Sequence, residues 1–375
     1  MGVFLGQESK GVSDVDVFHE FLDDVKKSMK LVRIVSCFDV ESLTAGGLLF
    51  KVLKSMELSV EILPDYTPPT TELGVKVLGI NIPHTECDEC IIFQSSSEAQ
   101  VSRVKHKTLV RYTSLLSGLI NLLREFMPIS RELRYLVASA TYVKYIPRIK
   151  ELKMSEEDKG FLNSLASEGL LEVAEAPITP YFTSPTHTLA MGVDPYVPSN
   201  MVRESVSETL KLLSEFYKVP QDKMRLKTYT IKHGWFVRDL TTLAYFITWL
   251  LDVKGFEGYV SSTINSNYMR NYYLHYIRSI KEMKERIDTL ISEKPNTAKT
   301  KNLIVRGNPS NLSATLISKV LWGLNLLEPS KTQVVLEYGG KYYVSMASLT
   351  QKDRKTLVSK HPTQGGYIVL SEAPA

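Results

Sequence analysis

The chain predicts an α/β fold: a parallel-sheet domain followed by a smaller C-terminal α/β domain. Three observations carry that prediction. Short β-type runs at residues 31–37, 58–63, 76–82 and 90–93 alternate with helical stretches, the pattern of a parallel sheet. A length of 375 residues exceeds what one typical core organises. From Lys301 onward the character changes to a compact series of strand, helix, hairpin and strand.

Taken in order, residues 15–29 predict an amphipathic helix with Val15, Phe18, Phe21, Leu22 and Val25 on one stripe and Ser13 or Asp14 as cap. The strand over 31–37 feeds a helix over 45–56. Gly46 and Gly47 near its start cost helix propensity, which predicts that another backbone or a ligand comes close. The next strands stop at Pro64, at Pro83 and in the polar loop 94–98. Helices over 112–126 and 131–145 would cover the sheet, and a helical region over 154–174 opens on Glu156, Glu157 and Asp158, acids that suit a helix N-terminus. Residues 176–200 carry Pro177, Pro180, Pro185, Pro195 and Pro198 and read as a functional loop or connector.

Helices are predicted over 202–217 and 240–253. The second is the longest apolar run, shorter than the ~20 residues a membrane span requires, so a buried helix is expected. Residues 269–291 form a polar helix with charges on most faces, which reads as an interdomain connector. The C-terminal part predicts a strand over 302–306, a helix over 311–321, a hairpin of 332–338 with 341–346 across Gly339-Gly340, and a last strand over 367–370. The expected domains are 1–255, a connecting helix 256–300, and 301–375.

The composition is that of an ordinary globular protein, 43% hydrophobic and 23% charged, and a net charge of +4 excludes a heavily cationic nucleic-acid coat. Cys37, Cys87 and Cys90 are an odd number, which predicts a reducing compartment rather than a disulfide scaffold. Residues 1–30 have no apolar signal core, so a cytoplasmic protein is expected. Basic residues gather between Arg103 and Lys153 with few acids among them, either as a surface for phosphate or an acidic partner or as solvated helix faces.

The chemistry-bearing segment reads Cys37-Phe38-Asp39-Val40-Glu41-Ser42-Leu43-Thr44-Ala45-Gly46. Two carboxylates at alternating positions past the carboxyl end of a buried strand are where a metal-dependent phosphoesterase keeps ligands. The same carboxylates also suit capping of the following helix. The Cys87-x-x-Cys90 pair with His84 lacks a second pair at suitable spacing, so no zinc site is expected.

These residues resemble the RecJ-like branch of the DHH phosphoesterase superfamily, whose loop runs His-x-Asp-x-Asp-Gly-x-x-Ser/Thr-Ala/Gly. Cys37 stands at the histidine, Glu41 at the second aspartate and Ser42 at the glycine. Asn81 ends the strand where the family has an aspartate, Gln94, Ser95 and Ser96 occupy the Asp-His-His region, and Thr141-Tyr142 lie where a fourth metal aspartate is expected. Near the C-terminus, His361-Pro362-Thr363-Gln364-Gly365-Gly366 resembles the Gly-Gly-His-Pro-x-Ala-Ala-Gly signature of the DHH-associated domain, with Ser359 and Lys360 in place of its leading glycines. The resemblance implies a degenerate, archaeal-type RecJ homologue, without cofactor or metal and catalytically inactive. The family includes an eroded eukaryotic cell-division-control member that joins the MCM ring and the GINS complex, and GINS and MCM helicase are therefore the implied partners. Single-stranded DNA contact is implied at Arg306, Lys360, His361, Gly365 and Gly366. The rival expectation is an active Mn²⁺-dependent single-strand exonuclease or phosphoesterase using Asp39, Glu41, His84 and Asp88.

Overall fold

In the computed structural model the described residues are 13–67, 74–83, 89–104, 106–175, 178–180, 184–224, 226–233, 235–293 and 301–374. Two compact units emerge, Met1–Val137 and Ala138–Ala375. The sequence-derived boundaries at 255 and 300 both fall inside the second.

The first unit opens with α1 (Asp14–Ser28), where Ser13 accepts from the Asp16 amide and Asp16 accepts from the Ser13 amide. Its buried stripe is Val17, Phe18, Phe21, Leu22 and Val25, so Val17 takes the place expected for Val15. Then come β1 (Leu31–Ser36), α2 (Val40–Ser55), β2 (Val60–Pro64), β3 (Val75–Ile80), β4 (Cys90–Ser95), β5 (Gln100–Val104), β6 (Lys107–Tyr112), α3 (Leu115–Arg124) and α4 (Arg131–Tyr142). The strands form one sheet in the order β2-β1-β3-β4-β6-β5, parallel except for the β5–β6 hairpin at its edge. β1 and β4 read as near-continuous apolar runs because a parallel sheet buries both faces of its strands. The β5–β6 hairpin was not expected from the sequence. Its strands carry Gln100, Arg103, Lys107 and Arg111, the polar dress of a sheet edge, which hides the alternation.

Gly46 is explained by packing. A Cβ there would lie 2.9 Å from Ile62 Cδ1 and 3.0 Å from Ser36 Oγ, so glycine lets α2 settle onto β1 and β2. Cys37 is in no disulfide, but Cys90 is disulfide-bonded, which departs from the expectation of reduced cysteines. His84 and Cys87 lie outside the described residues.

The second unit contains α5 (Glu156–Ser167), β7 (Leu171–Glu175), α6 (Pro185–Ala190), α7 (Val206–Tyr217), β8 (Lys227–Ile231), α8 (Leu240–Ile264), α9 (Ser266–Glu293), β9 (Asn302–Arg306), α10 (Ala314–Gly323), β10 (Gln333–Tyr338), β11 (Lys341–Ser345), α11 (Gln351–Val358), β12 (Thr363–Gln364) and β13 (Tyr367–Leu370). β7 and β8 pair antiparallel, and the other five strands form a sheet ordered β12-β13-β11-β10-β9. The helix expected over 154–174 ends at Ser167 and gives way to β7. α8 is longer than expected and turns at Gly255, whose φ of 65° is open to glycine. α9 is not charged on every face: Tyr276, Ile280, Met283 and Ile287 are buried along one side.

Part of the proline-rich stretch is anchored: the Thr179 amide donates to the Asp194 carbonyl at 3.0 Å. Asp194 within it is fully buried, and the Arg148 amide donates to its carboxylate over 3.1 Å. Arg148 is itself buried, so it leaves the basic surface anticipated between 103 and 153, and Arg103 pairs with Glu20 at 2.6 Å. No helix among the described residues is long and apolar enough to cross a membrane.

Candidate functional site

β1 delivers the chain at Ser36, and Phe38, wholly buried beside Tyr66, anchors the turn into α2. Asp39 then sits in extended backbone as the N-cap of α2. Its Oδ1 accepts from the Ser42 amide and its Oδ2 from the Ser42 hydroxyl, each at 2.8 Å. The Ser42 hydroxyl accepts in turn from the Asn81 side-chain amide at 2.9 Å. Asn81 ends β3 with a φ of 51°, a left-handed backbone that asparagine tolerates better than most residues. Its carbonyl oxygen accepts from the Ser95 amide at 2.8 Å, and the Ser95 hydroxyl donates to Glu41 at 3.4 Å. Gln94 turns aside and donates to the Ile82 carbonyl at 2.9 Å. Cys37 and Ser96 are tied by their backbone amides, to Ile80 and Tyr112 respectively.

The structure thus brings Asp39, Glu41, Asn81 and Ser95 together at the carboxyl ends of β1, β3 and β4, with Ser42 at their centre. Ser42 was expected ahead of a helix opening at Ala45; it lies instead in the first turn of α2, which opens at Val40. Its signal was present: Asp39-x-x-Ser42 is the spacing at which an N-cap carboxylate meets the third residue of a helix.

A pair of divalent cations needs several anionic or imidazole ligands to offset charge and dehydration. The residues here do not fit that demand. Asp39 spends both oxygens on Ser42, and Asn81 spends its amide on Ser42 and its carbonyl on Ser95. Serine and asparagine at the remaining corners are neutral, poor ligands. Among the described residues no three His, Cys, Asp or Glu side chains converge as a metal site would require. Asp88 and His84 lie outside the described residues. Thr141 is buried in α4 with its hydroxyl unpartnered, and it offers no charge.

The C-terminal candidates separate into two groups. Arg306 ends β9, at one edge of the five-stranded sheet; it is 84% exposed and pairs with Glu337 at 3.4 Å. Lys360 and His361 precede β12, at the opposite edge. Gly365 and Gly366 close the β12–β13 turn directly on the bend of α8. The Gly366 amide donates to the Asp252 carbonyl at 2.7 Å, and a Cβ on Gly366 would lie 2.2 Å from the Leu251 carbonyl oxygen. A Cβ on Gly255 would meet the Gly365 carbonyl at 2.4 Å. Just inside, the fully buried Asp252 carboxylate accepts from Ser345 (2.6 Å), Ser313 (2.7 Å) and the Thr315 amide (2.9 Å), while burial raises its pKa.

The chain matches no protein-family model and no curated protein. Solved structures do match. The crystal structure of CDC45 from Entamoeba histolytica superposes with a TM-score of 0.59 at 11% identity, covering 95% of this chain and 95% of that one. RecJ from Thermus thermophilus in complex with Mn²⁺ gives a TM-score of 0.44 at 12% identity, over 96% of this chain and 52% of that one. A manganese-bound exonuclease RecJ gives 0.45 at 11% identity, over 89% and 82%. The expected fold is therefore present: a parallel-sheet domain and a second sheet-bearing part, as in CDC45.

Proposed function

We propose that this chain, which shares the fold of CDC45, is a catalytically inert RecJ-like subunit of a replicative helicase that binds GINS, bridges to MCM and contacts single-stranded DNA. The observation that carries the reading is the closed polar network at the former metal loop. Catalysis by this kind of site depends on two cations that activate a water and clamp the leaving oxygen. Here the residues in those positions bond to one another instead. A site whose polar groups are already satisfied gains nothing by binding ions, and what remains useful is the scaffold. Similarity of fold over 95% of both chains supports a replication role of the CDC45 kind.

DNA contact in this reading falls to Lys360 and His361 beside the Gly365-Gly366 turn, with Arg306 as a separate backbone contact. Such contacts are electrostatic, so binding weakens steeply with added salt.

Co-purification from cell extract tests the reading: tagged chain should bring down GINS and MCM, and recovery of neither would refute it. Incubation of labelled single-stranded DNA with the chain and Mn²⁺ tests inertness. Cleavage that Asp39→Ala abolishes would establish the exonuclease instead.

A further inference from the structure

Two adjoining chambers open on the second unit beside α10. The larger, about 500 Å³, is lined by Lys319, Trp322, Ser318, Gln333 and Val334 among others. The smaller, about 440 Å³, is lined by Lys150, Asn325 and Lys331. Trp322, Glu328 and Thr332 line both, so the indole forms the partition between them.

The charges are arranged unevenly. Lys150 places its ammonium 5.6 Å from the Trp322 ring centre and donates to the Asn325 side chain. Lys319 donates to the Val143 carbonyl at 3.2 Å. Among the described residues, neither has a carboxylate within ion-pair distance. The acid at the rim, Glu328, is neutralised by Lys331 at 2.6 Å. The groove therefore holds two cations with no carboxylate in ion-pair contact among the described residues, set around a half-buried aromatic wall. Burial lowers the pKa of both ammonium groups, that of Lys319 to about 8, where the charge of Asp194 offsets the desolvation only in part.

We propose that this groove binds a nucleoside phosphate, with the base against Trp322 in the larger chamber and the phosphate at Lys319. The chemistry that selects such a ligand is on hand. The chamber's volume lies in the ~300–1,000 Å³ range of small-molecule sites. Its walls are mainly apolar, which suits a flat heteroaromatic ring, and base–aromatic stacking is sequence-tolerant and worth ~1–3 kcal/mol. Ser318, Ser330 and Gln333 supply donors and acceptors for a ring edge. The anion pairs with Lys319, which has no carboxylate in ion-pair contact among the described residues. Such a ligand would bind whether or not the chain joins a helicase.

Calorimetric titration of the full chain with 5′-AMP tests it, with adenosine and inorganic phosphate as comparison ligands. Saturable AMP binding is expected, at least ~10-fold tighter than adenosine, because the phosphate contact is charge-assisted. Lys319→Gln should weaken AMP binding by ~10-fold or more, while its circular dichroism and melting temperature report whether the fold is kept. Ser330→Trp, at an exposed loop position, should obstruct the chamber without touching the core. Absence of saturation at ~10 mM AMP would overturn the proposal. So would affinities left unchanged by both substitutions, or adenosine binding as tightly as AMP.

Discussion

The Asn81 side-chain amide donates to the Ser42 hydroxyl across 2.9 Å, and this bond ties the end of β3 to the first turn of α2. Ser42 already gives its proton to Asp39, so it can only accept here, and Asn81 is the donor it requires.

Replacing Asn81 by aspartate removes that donor and sets a further carboxylate near Asp39. Asn81→Asp is expected to destabilise the first unit by ~1–3 kcal/mol, through an unmade hydrogen bond and like-charge repulsion. Urea unfolding with and without Mn²⁺ measures it. The loss should persist in the presence of the ion, because one regained acid does not rebuild a two-cation site.

Asp39→Ala removes the cap of α2. A cost of about 1 kcal/mol is expected, the ordinary worth of a carboxylate N-cap, from the midpoint of a urea curve at unchanged slope.

Some of this was legible in the sequence and some was not, for physical reasons. β9 lies at the residues expected, and Gly339-Gly340 forms the β10–β11 hairpin turn with φ of 59° and 72°, the left-handed pair such a turn demands. Apolar runs bounded by turn residues reveal themselves locally. β7 does not, because Leu171–Glu175 is mostly exposed and gains its identity from pairing with Lys227–Ile231, far along the chain in β8. A carboxylate just past the end of β1 was legible, since Asp39 directly follows an apolar run. That Asn81 would close on Ser42, and Ser95 on Asn81 and Glu41, was not, since these contacts need the register of three parallel strands.

The turn of β12–β13 gives a sharper test. Gly366→Ala sets a methyl group 2.2 Å from the Leu251 carbonyl oxygen, a backbone atom that cannot rotate aside. A loss of about 3 kcal/mol is expected, the upper end of ordinary overpacking, read by thermal or urea unfolding. A neutral result would mean that the hairpin does not close on α8.

Lys284 is buried, with its ammonium 4.5 Å from the Tyr196 ring centre and donating to the carbonyls of Gly192 and Val197. Burial lowers its pKa from 10.5 to about 8. The unfolded chain therefore binds more protons between those two values, and stability contributed by this group rises with pH across that window. Below pH 8 the buried charge costs about 3–4 kcal/mol, at ~1.4 kcal/mol per pH unit of displacement. Lys284→Met should erase that slope, visible as the difference between wild-type and variant unfolding free energies from about pH 8 to 10.5.

Where Gly255 and Gly365 touch, main chain rests on main chain with no side chain between them. Such a joint has no rotamers through which to yield. Any force that shifts the C-terminal hairpin must therefore be passed to α8 as a lever, and along it to the core it crosses.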